Sequence, residues 1–175
     1  MHLQVTPEIA LTKLLPNDLE AVCQHLADPD IAATTVGVPH PFGPHEFGER
    51  LARNAAMEAE FGHPLYLAIR QSNGSLIGMI AFEEVIGDGV IELGYWLAKP
   101  WWTTGIMTAA VRVACDHAFF QWDIEVFLAS CFMSNVASRR VLEKNGFVVC
   151  EGQHQLVKDC KSIDSWMFVL EAPPF

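Results

Sequence analysis

Three strand-like segments joined by two tight turns are the feature of this sequence that most constrains its fold. The segments PLYLAIRQ (64–71) and SLIGMIAFEEVI (75–86) are separated by SNG (72–74), and Asn-Gly is the strongest short-range hairpin signal. A second turn, GDG (87–89), leads into VIELGYWL (90–97). The middle of the chain is therefore predicted to form an antiparallel meander.

Helical periodicity follows this meander. Apolar residues recur at helical spacing from Ile106 to Phe119, and EVFLASC (125–131) is predicted to be the next strand. Because a helix of that length allows a right-handed crossover, 125–131 is expected to lie parallel to 90–97. A second helix, capped by Ser134 or Asn135, then ends at Gly146. Two further strands, at 147–150 and 166–170, complete a predicted mixed α/β sheet with flanking helices.

The first third of the chain carries weaker signals. A strand is predicted at 9–14, and a helix opens at 16–20 with acidic residues in its first turn. The segment 28–44 is rich in Pro and Gly, which predicts a loop that can include a helical turn. An amphipathic helix is expected at 45–60. No catalytic motif is recognisable in this region.

Composition restricts the class of protein and its partners. With 175 residues, 51% hydrophobic and 18% charged, and with no linker, the chain is predicted to be a single domain over 1–175. It has no apolar run long enough to span a membrane and no signal-peptide layout, so a cytoplasmic protein without a membrane partner is expected. Trp101 and Phe175 suggest a possible homodimer interface.

Charge and cysteine usage point away from nucleic acids and metals. The formal net charge of −10 disfavours a nucleic-acid partner and favours approach of amine-bearing molecules. The five cysteines are scattered and contain no C-x-x-C pair, so neither a disulfide framework nor a metal site is expected.

A glycine loop connects the last strand of the meander to the following helix. The loop WTTGIM (102–107) leaves the carboxyl end of a strand and becomes a helix N-terminus, whose unpaired N–H groups and partial positive charge favour phosphate binding. Gly105 would then allow close approach of a pyrophosphate. The alternative is a plain strand-to-helix turn, and the loop alone does not decide between them.

Three blocks in order, 91–97 (IELGYWL), 102–108 (WTTGIMT) and 135–147 (NVASRRVLEKNGF), give the chain a family resemblance. It resembles the GNAT superfamily of acyl-CoA-dependent N-acetyltransferases, most closely the branch that includes the ribosomal-protein N-terminal alanine acetyltransferases. The resemblance implies a mostly antiparallel central sheet with one parallel strand pair opening at the cofactor site. It also implies acetyl-CoA as co-substrate and no metal.

The resemblance assigns cofactor-binding roles to particular residues. The backbone of Tyr95, Trp96 and Leu97 would pair with the pantetheine amides, Asn135 would hydrogen-bond the pantetheine arm, and Lys144 would lie near the phosphates. The pyrophosphate cradle would consist of Trp102, Thr103, Thr104, Gly105, Ile106 and Met107. Purely structural roles fit three of these residues as well, since Asn135 also suits a helix cap, Lys144 a surface lysine and Trp96 a core residue.

Three positions depart from the family pattern. The family usually has Gly at Thr103 and Gly or Ala at Met107, so this loop is bulkier. Many members have a Tyr at the position of Leu142, where it protonates the leaving thiolate. The departure at Leu142 leaves the proton donor for the sulfur unassigned.

Acetyl transfer to an amine needs a base, because most aliphatic amines are protonated at pH 7. Glu92 is the candidate, since strand alternation places it on one face with Gly94 and Trp96, and partial enclosure would raise its pKa. A solvated sheet residue is the alternative. Ser138 is the candidate acid, since it shares a helix side with Asn135 and Leu142. A serine that only caps or back-bonds the helix is the simpler interpretation, and water would then be the acid.

Three histidines are further candidates for the base, namely His40, His45 and His63. The predicted function is transfer of an acetyl group from acetyl-CoA to a primary amine, either a protein N-terminus or a small amine, by direct attack on the thioester. A non-catalytic acyl-CoA-binding domain and an interaction domain that keeps only the fold are the alternatives.

Overall fold

The computed structural model describes residues 1–84 and 89–173. Within these ranges, nine strands form one sheet. The strands are β1 (His2–Thr6), β2 (Ile9–Lys13), β3 (Tyr66–Gln71), β4 (Leu76–Glu84), β5 (Val90–Leu97), β6 (Val126–Phe132), β7 (Val148–Val149), β8 (His154–Lys158) and β9 (Lys161–Glu171). Their order is β1-β2-β3-β4-β5-β6-β9-β7, and β8 pairs with β9.

Five α-helices cover this sheet in the described residues. They are α1 (Leu19–Leu26), α2 (Pro29–Thr34), α3 (Pro44–Phe61), α4 (Ile106–Gln121) and α5 (Val136–Lys144). Short 3-10 turns at Pro16–Asp18 and Lys99–Trp101 precede α1 and the loop to α4. Each helix in these ranges is too short or too polar to cross a lipid bilayer.

The predicted meander is confirmed as β3, β4 and β5, each antiparallel to the next. In the first turn the Asn73 side chain accepts a hydrogen bond from Ser75 N at 2.9 Å, and Gly74 adopts φ +90°, which glycine tolerates without strain. The second predicted turn, 87–89, lies largely outside the described residues, as do positions 85 and 86 of the predicted strand.

The predicted parallel pair is also confirmed. β5 and β6 run parallel, and the other strand pairs of the described sheet are antiparallel. Helix α4 makes the crossover between them. The mostly antiparallel sheet with a single parallel pair therefore agrees with the fold that the sequence resemblance implied.

Hydrophobic side chains pack on both faces of the sheet. One cluster joins α4 to buried residues of β5 such as Ile91 and Leu93. The opposite cluster contains Trp96 together with residues of α1 and α3, among them Leu26 and Phe47. Alternation along β5 thus follows the prediction, with Ile91 and Leu93 on one face and Trp96 on the other.

Two corrections concern strands: β1 and β8 were not predicted, and of β9 only the second half was, at 166–170. β9 begins at Lys161 rather than 166, because its first half pairs with the largely exposed β8 and therefore lacks apolar alternation. The turn between β8 and β9 places Asp159 at φ +50° and Cys160 at φ +61°. This left-handed two-residue turn contains no glycine, so the usual hairpin signal is missing.

The helical turn that the sequence allowed in the segment 28–44 is present, as a helix of six residues. Helix α2 begins after Asp28, whose side chain accepts from Asp30 N at 2.9 Å, with Pro29 at the first helical position. At its other end, the Lys158 ammonium donates to the carbonyl oxygens of Ala32 and Thr35. A lysine of the β8–β9 hairpin thus holds the end of α2.

Candidate active site

A cavity of about 400 Å³ opens where β5 and β6 separate. The two strands pair at Val90 with Val126, Ile91 with Phe127 and Glu92 with Leu128, and the pairing ends there although β5 continues to Leu97. Residues of both strands beyond the last pair line the cavity. The divergence of the parallel pair therefore creates the space that the sequence resemblance placed at this point.

Most of the predicted site residues line this cavity. They are Glu92, Tyr95, Trp96, Leu97, Trp102, Thr103, Met107, Asn135 and Ser138. Thr104, Gly105, Ile106 and Lys144 lie outside its lining. The first three of these belong to the start of α4, next to lining residues on both sides, whereas Lys144 lies at the far end of α5.

The backbone edge of β5 faces the gap. Ala98 N donates to Ile77 O at 2.8 Å, so by the alternation of an antiparallel ladder the backbone groups of residues 96, 94 and 92 also face β4. The N–H and C=O groups of Leu93 and Tyr95 then point into the space between β5 and β6. An extended chain carrying amide groups can pair with such an edge as an added strand does.

An unsatisfied donor also lies at the cavity wall. The Trp96 side chain is 5% exposed and lines the cavity, and its indole N–H has no hydrogen-bond partner among the described residues. Trp96 is therefore both a core residue, as one interpretation of the sequence held, and a wall residue. Buried donors without acceptors are rare in proteins, so this N–H is a candidate contact for a bound ligand.

The loop before α4 presents an uncapped helix N-terminus. Gly105 is the N-cap at φ +83°, and among the described residues no side chain caps the helix. The first intrahelical bond runs from Ala109 N to Gly105 O, which leaves the N–H groups of Ile106, Met107 and Thr108 without a helical acceptor. An ideal Cβ at Gly105 would have open space around it. Glycine is favoured at position 105 because the backbone there is left-handed, and the absence of a side chain leaves space for an anion at the helix N-terminus.

Two hydrogen bonds fix the shape of this loop. The Trp102 indole N–H donates to Leu97 O at 2.6 Å, and the Thr104 hydroxyl donates to Trp101 O at 2.6 Å. Thr103, where the family usually has Gly, adopts φ +63°. A β-branched residue in the left-handed region is strained, so the departure from the family pattern carries a conformational cost.

Asn135 caps α5 and joins it to α2. Its side-chain oxygen accepts from Ser138 N at 3.1 Å, and its side-chain nitrogen donates to Thr34 O at 3.5 Å. The capping role that the sequence allowed is therefore present, in a residue that also lines the cavity.

Lys144 is exposed in the last turn of α5. Its neighbour Asn145 donates from its side chain to Thr108 O at 3.1 Å, and Arg112 donates to Lys144 O at 3.2 Å. These contacts keep the end of α5 beside the first turns of α4.

Glu92 lines the cavity and lies directly opposite Glu83 of β4, which lines it as well. Burial raises the pKa of the Glu92 carboxyl, the negative charge of Glu83 raises it further, and a hydrogen bond with Ser130 opposes both effects. The expected rise in pKa is confirmed in direction. The raised pKa makes this carboxylate a stronger base than a fully solvated glutamate.

Ser138 contacts Tyr95 across the cavity wall. Its hydroxyl oxygen lies 2.9 Å from the Tyr95 hydroxyl oxygen, while its backbone N–H is held by Asn135. Leu142, one turn further along α5, is 1% exposed. Ser138 thus presents a hydroxyl group on the cavity side of α5. The Tyr95 side chain links this hydroxyl to the sheet, whereas the sequence had suggested a role only for the Tyr95 backbone.

The three candidate histidines lie elsewhere. His40 and His45 are exposed, and His63 is buried with its ring stacked on Trp122 at 4.7 Å between centroids. None of them is among the residues that line the described cavity.

Arg50 and the loop 35–38 were not predicted as site residues. The Arg50 guanidinium donates to Gly37 O at 2.7 Å and lies over the rings of Phe42 and Tyr66. Arg50 and Gly37 line the cavity. The sequence gives no local signal for this arrangement, because α3, β3 and the loop come together only in the folded chain.

Acidic and thiol groups are present near the cavity, yet they do not form a metal centre. In the described part of the chain, no three His, Cys, Asp or Glu side chains are grouped as metal ligands. Cys131 lines the cavity, and burial raises the pKa of its thiol.

Comparison with known proteins gives a consistent result. A family model described as an acetyltransferase (GNAT) domain matches residues 8–148. A probable N-acetyltransferase, YjcK, of Bacillus subtilis strain 168 is 36% identical over 105 residues, 58% of this chain and 54% of that protein. The ribosomal-protein-serine acetyltransferase of Escherichia coli K12 is 29% identical over 87 residues, 48% of this chain and 49% of that protein. The chain spans about half the length of the curated relatives it matches.

A solved structure shares the fold over nearly the full chain. RimL, a ribosomal alpha-N-protein acetyltransferase solved in complex with coenzyme A, superposes with a TM-score of 0.85 at 19% identity, covering 98% of each chain. With the family model matching most of the residues, the diverging β5–β6 pair and the uncapped start of α4 have a common explanation: the chain belongs to the GNAT family of acetyltransferases.

Proposed function

We propose that this protein is an acetyl-CoA-dependent N-acetyltransferase that transfers the acetyl group to a primary amine by direct attack on the thioester. The observation that carries the proposal is the placement of three features around one cavity. These are the free backbone edge of β5, the uncapped N-terminus of α4 and the Glu92 carboxyl. We treat residues 1–175 as one domain, because a single sheet runs through the described chain.

Acetyl-CoA binds along the cavity in this proposal. The pantetheine arm lies along the Tyr95–Leu97 segment and pairs with those backbone groups of β5 that point away from β4, while the Trp96 indole N–H offers a side-chain contact, in the gap that the diverging strands leave. The pyrophosphate lies against the N–H groups at the start of α4, where Gly105 leaves open space. Lys144 adds positive charge near the phosphates.

The acceptor amine approaches from the side of Glu92. The cavity there is lined by two carboxylates, Glu83 and Glu92, and by the Arg50 guanidinium, so its negative charges outnumber its positive charge. This balance favours an amine. Relatives named as ribosomal-protein acetyltransferases make a peptide N-terminus the first acceptor to test, with small amines second.

The chemical step follows from these positions. Glu92, directly or through a water, removes a proton from the ammonium group, and the nitrogen lone pair attacks the carbonyl carbon of the thioester. The C–N bond forms and the C–S bond breaks. The sulfur leaves with the bonding electrons and takes a proton from Ser138 or from water, and the second proton lost by the attacking nitrogen returns to that donor. The products are CoA and the N-acetyl amine, and the proton taken up by Glu92 is released to solvent.

A thiol-release assay tests the proposal. Purified protein is incubated with acetyl-CoA and either N-terminal peptides or small amines, and free CoA is measured against a reaction without acceptor. Calorimetry with CoA is run in parallel. Acceptor-dependent release supports the transferase, whereas CoA binding without release under any acceptor indicates a binding domain, and no CoA binding removes the proposal.

We further propose that the enzyme is cytoplasmic and that it forms a homodimer. Sedimentation at several protein concentrations tests whether the dimer forms. Trp101, one of the two aromatics that suggested an interface, is partly buried against His25, and Phe175 lies outside the described residues.

A further inference from the structure

A pair of hydroxyl groups connects the sheet to α5 at the cavity wall. The Tyr95 side chain extends from β5, and its hydroxyl oxygen lies 2.9 Å from Ser138 Oγ and 3.3 Å from the Ser138 carbonyl oxygen. Both residues line the cavity. Ser138 is itself fixed through its backbone N–H, which donates to Asn135. The pair is therefore held on both sides.

The two hydroxyl protons can be arranged in two ways. In the first, Ser138 donates to the Tyr95 oxygen and Tyr95 donates to the Ser138 carbonyl, so both protons stay within the pair. In the second, Tyr95 donates to Ser138 Oγ, and the Ser138 proton leaves the pair and can turn toward the cavity, where the Cys131 thiol is its protein neighbour. The switch requires only rotation of two O–H bonds.

The surroundings of Tyr95 keep its proton in place. Burial raises the pKa of the Tyr95 phenol, which the hydrogen bond with Ser138 opposes only in part. A phenol whose pKa is raised stays neutral at pH 7, so Tyr95 acts as a hydrogen-bond donor rather than as a source of protons. Leu142, the next side chain along this face of α5, offers no donor.

We propose that Tyr95 is a positioning residue that turns the Ser138 hydroxyl toward the departing sulfur of CoA. While the thioester is intact, the first arrangement satisfies both hydroxyls. As negative charge develops on sulfur, Tyr95 donates to Ser138 Oγ and Ser138 donates to the thiolate. A hydrogen bond to an ionised acceptor is stronger than one between neutral groups, so the second arrangement is favoured only when the charge appears. This inference rests on the proposed acetyl transfer.

Kinetics of matched variants test the inference. Tyr95→Phe removes one oxygen and keeps the ring, so we expect an unchanged fold and KM for acetyl-CoA with a kcat about 10-fold lower. Ser138→Ala should lower kcat by at least as much. Because the two hydroxyls act as one unit, the double variant should stay within about twofold of Ser138→Ala.

The protein contains a natural control. It has two tyrosines, and the Tyr66 hydroxyl is buried without a hydrogen-bond partner among the described residues. Tyr66→Phe should therefore keep the wild-type kcat. A wild-type kcat in Tyr95→Phe, or losses in Tyr95→Phe and Ser138→Ala that simply multiply in the double variant, would overturn the inference.

Carbon-13 NMR provides a readout that does not depend on turnover. Labelling the tyrosine Cζ atoms gives two resonances, and Tyr66→Phe assigns them. At a pH high enough to ionise the CoA thiol, we expect CoA to shift the Tyr95 resonance clearly more than desulfo-CoA, which fills the same cavity but lacks the sulfur. Equal shifts with both ligands would contradict the inference.

The two proposals fail in different ways. If wild-type protein releases no CoA with any acceptor, the proposed function fails, and the NMR comparison still decides whether Tyr95 responds to the sulfur. If wild-type protein turns over while Tyr95→Phe is unaffected, only the inference about Tyr95 fails.

Discussion

Residues 93–107 supply the cavity mainly with backbone, whereas the opposite wall around residues 35–50 is made of side chains and a loop. On the first side, the free backbone edge of β5 faces the cavity, and the uncapped start of α4 adjoins it through Thr103 and Met107. On the second, Arg50 holds Gly37 O, and the wall is closed by contacts between distant segments. Backbone recognition suits a ligand common to a whole family, and side-chain recognition suits an acceptor that differs between members.

The largest expected effect belongs to a side chain of β5 that the backbone comparison leaves out, the Glu92 carboxyl. Glu92→Gln should lower kcat/KM by about 100-fold, because a general base typically contributes that much, while CoA affinity stays nearly unchanged. Initial rates with a confirmed acceptor and calorimetry with CoA measure the two quantities. A wild-type rate for Glu92→Gln would show that the base lies elsewhere.

The next effect tests the backbone wall. Gly105→Val places a branched side chain in the open space at the start of α4, so CoA should bind at least about 10-fold more weakly. The variant also loses stability, because φ is +83° and a side chain there costs about 1–2 kcal/mol.

Gly74→Val is the matched control for this experiment. Gly74 also has positive φ and open space around its Cβ position, but it lies in the turn between β3 and β4. It should lose similar stability and keep wild-type CoA affinity. Equal CoA affinity in the two variants would mean that Gly105 serves only the turn.

A third prediction concerns the charge opposite the base. The Glu83 carboxylate raises the pKa of Glu92, so Glu83→Gln should lower that pKa. The base is active when deprotonated, and the rate falls as pH falls through its pKa. The acidic limb of the kcat/KM profile should therefore move to lower pH. An acidic limb that stays at the same pH would show that the Glu83 charge does not affect the pKa of the catalytic base.

The smallest effect is expected at Thr103. Replacing it with Gly relieves the left-handed strain at φ +63°, so Thr103→Gly should stabilise the fold by up to about 1 kcal/mol after the entropy cost of glycine. Chemical denaturation measures the change. A loss of stability would mean that the Thr103 hydroxyl, which donates to Trp102 O at 2.6 Å, outweighs the strain.

Features that depend on neighbouring residues could be predicted from the sequence, whereas features that depend on residues far apart in the chain could not. The meander, the loop to α4 and the cap of α5 depend on neighbouring residues, so Asn73, Gly105 and Asn135 could each be interpreted locally. Arg50 and the Tyr95–Ser138 contact depend on pairs far apart in the chain, and no local pattern encodes them. β8 was missed for a related reason, because its largely exposed residues show no apolar alternation.

The contact of Lys158 with the end of α2 has a consequence for protein engineering. The ammonium group bonds to the carbonyls of Ala32 and Thr35, more than 120 residues away in the chain, and the segment that follows forms one wall of the cavity. If that segment alone were replaced by the one from a relative with another acceptor, it would lose its matching contact with the β8–β9 hairpin. A chimera that exchanges α2, the loop after it and the β8–β9 hairpin together should keep the geometry of this cavity wall.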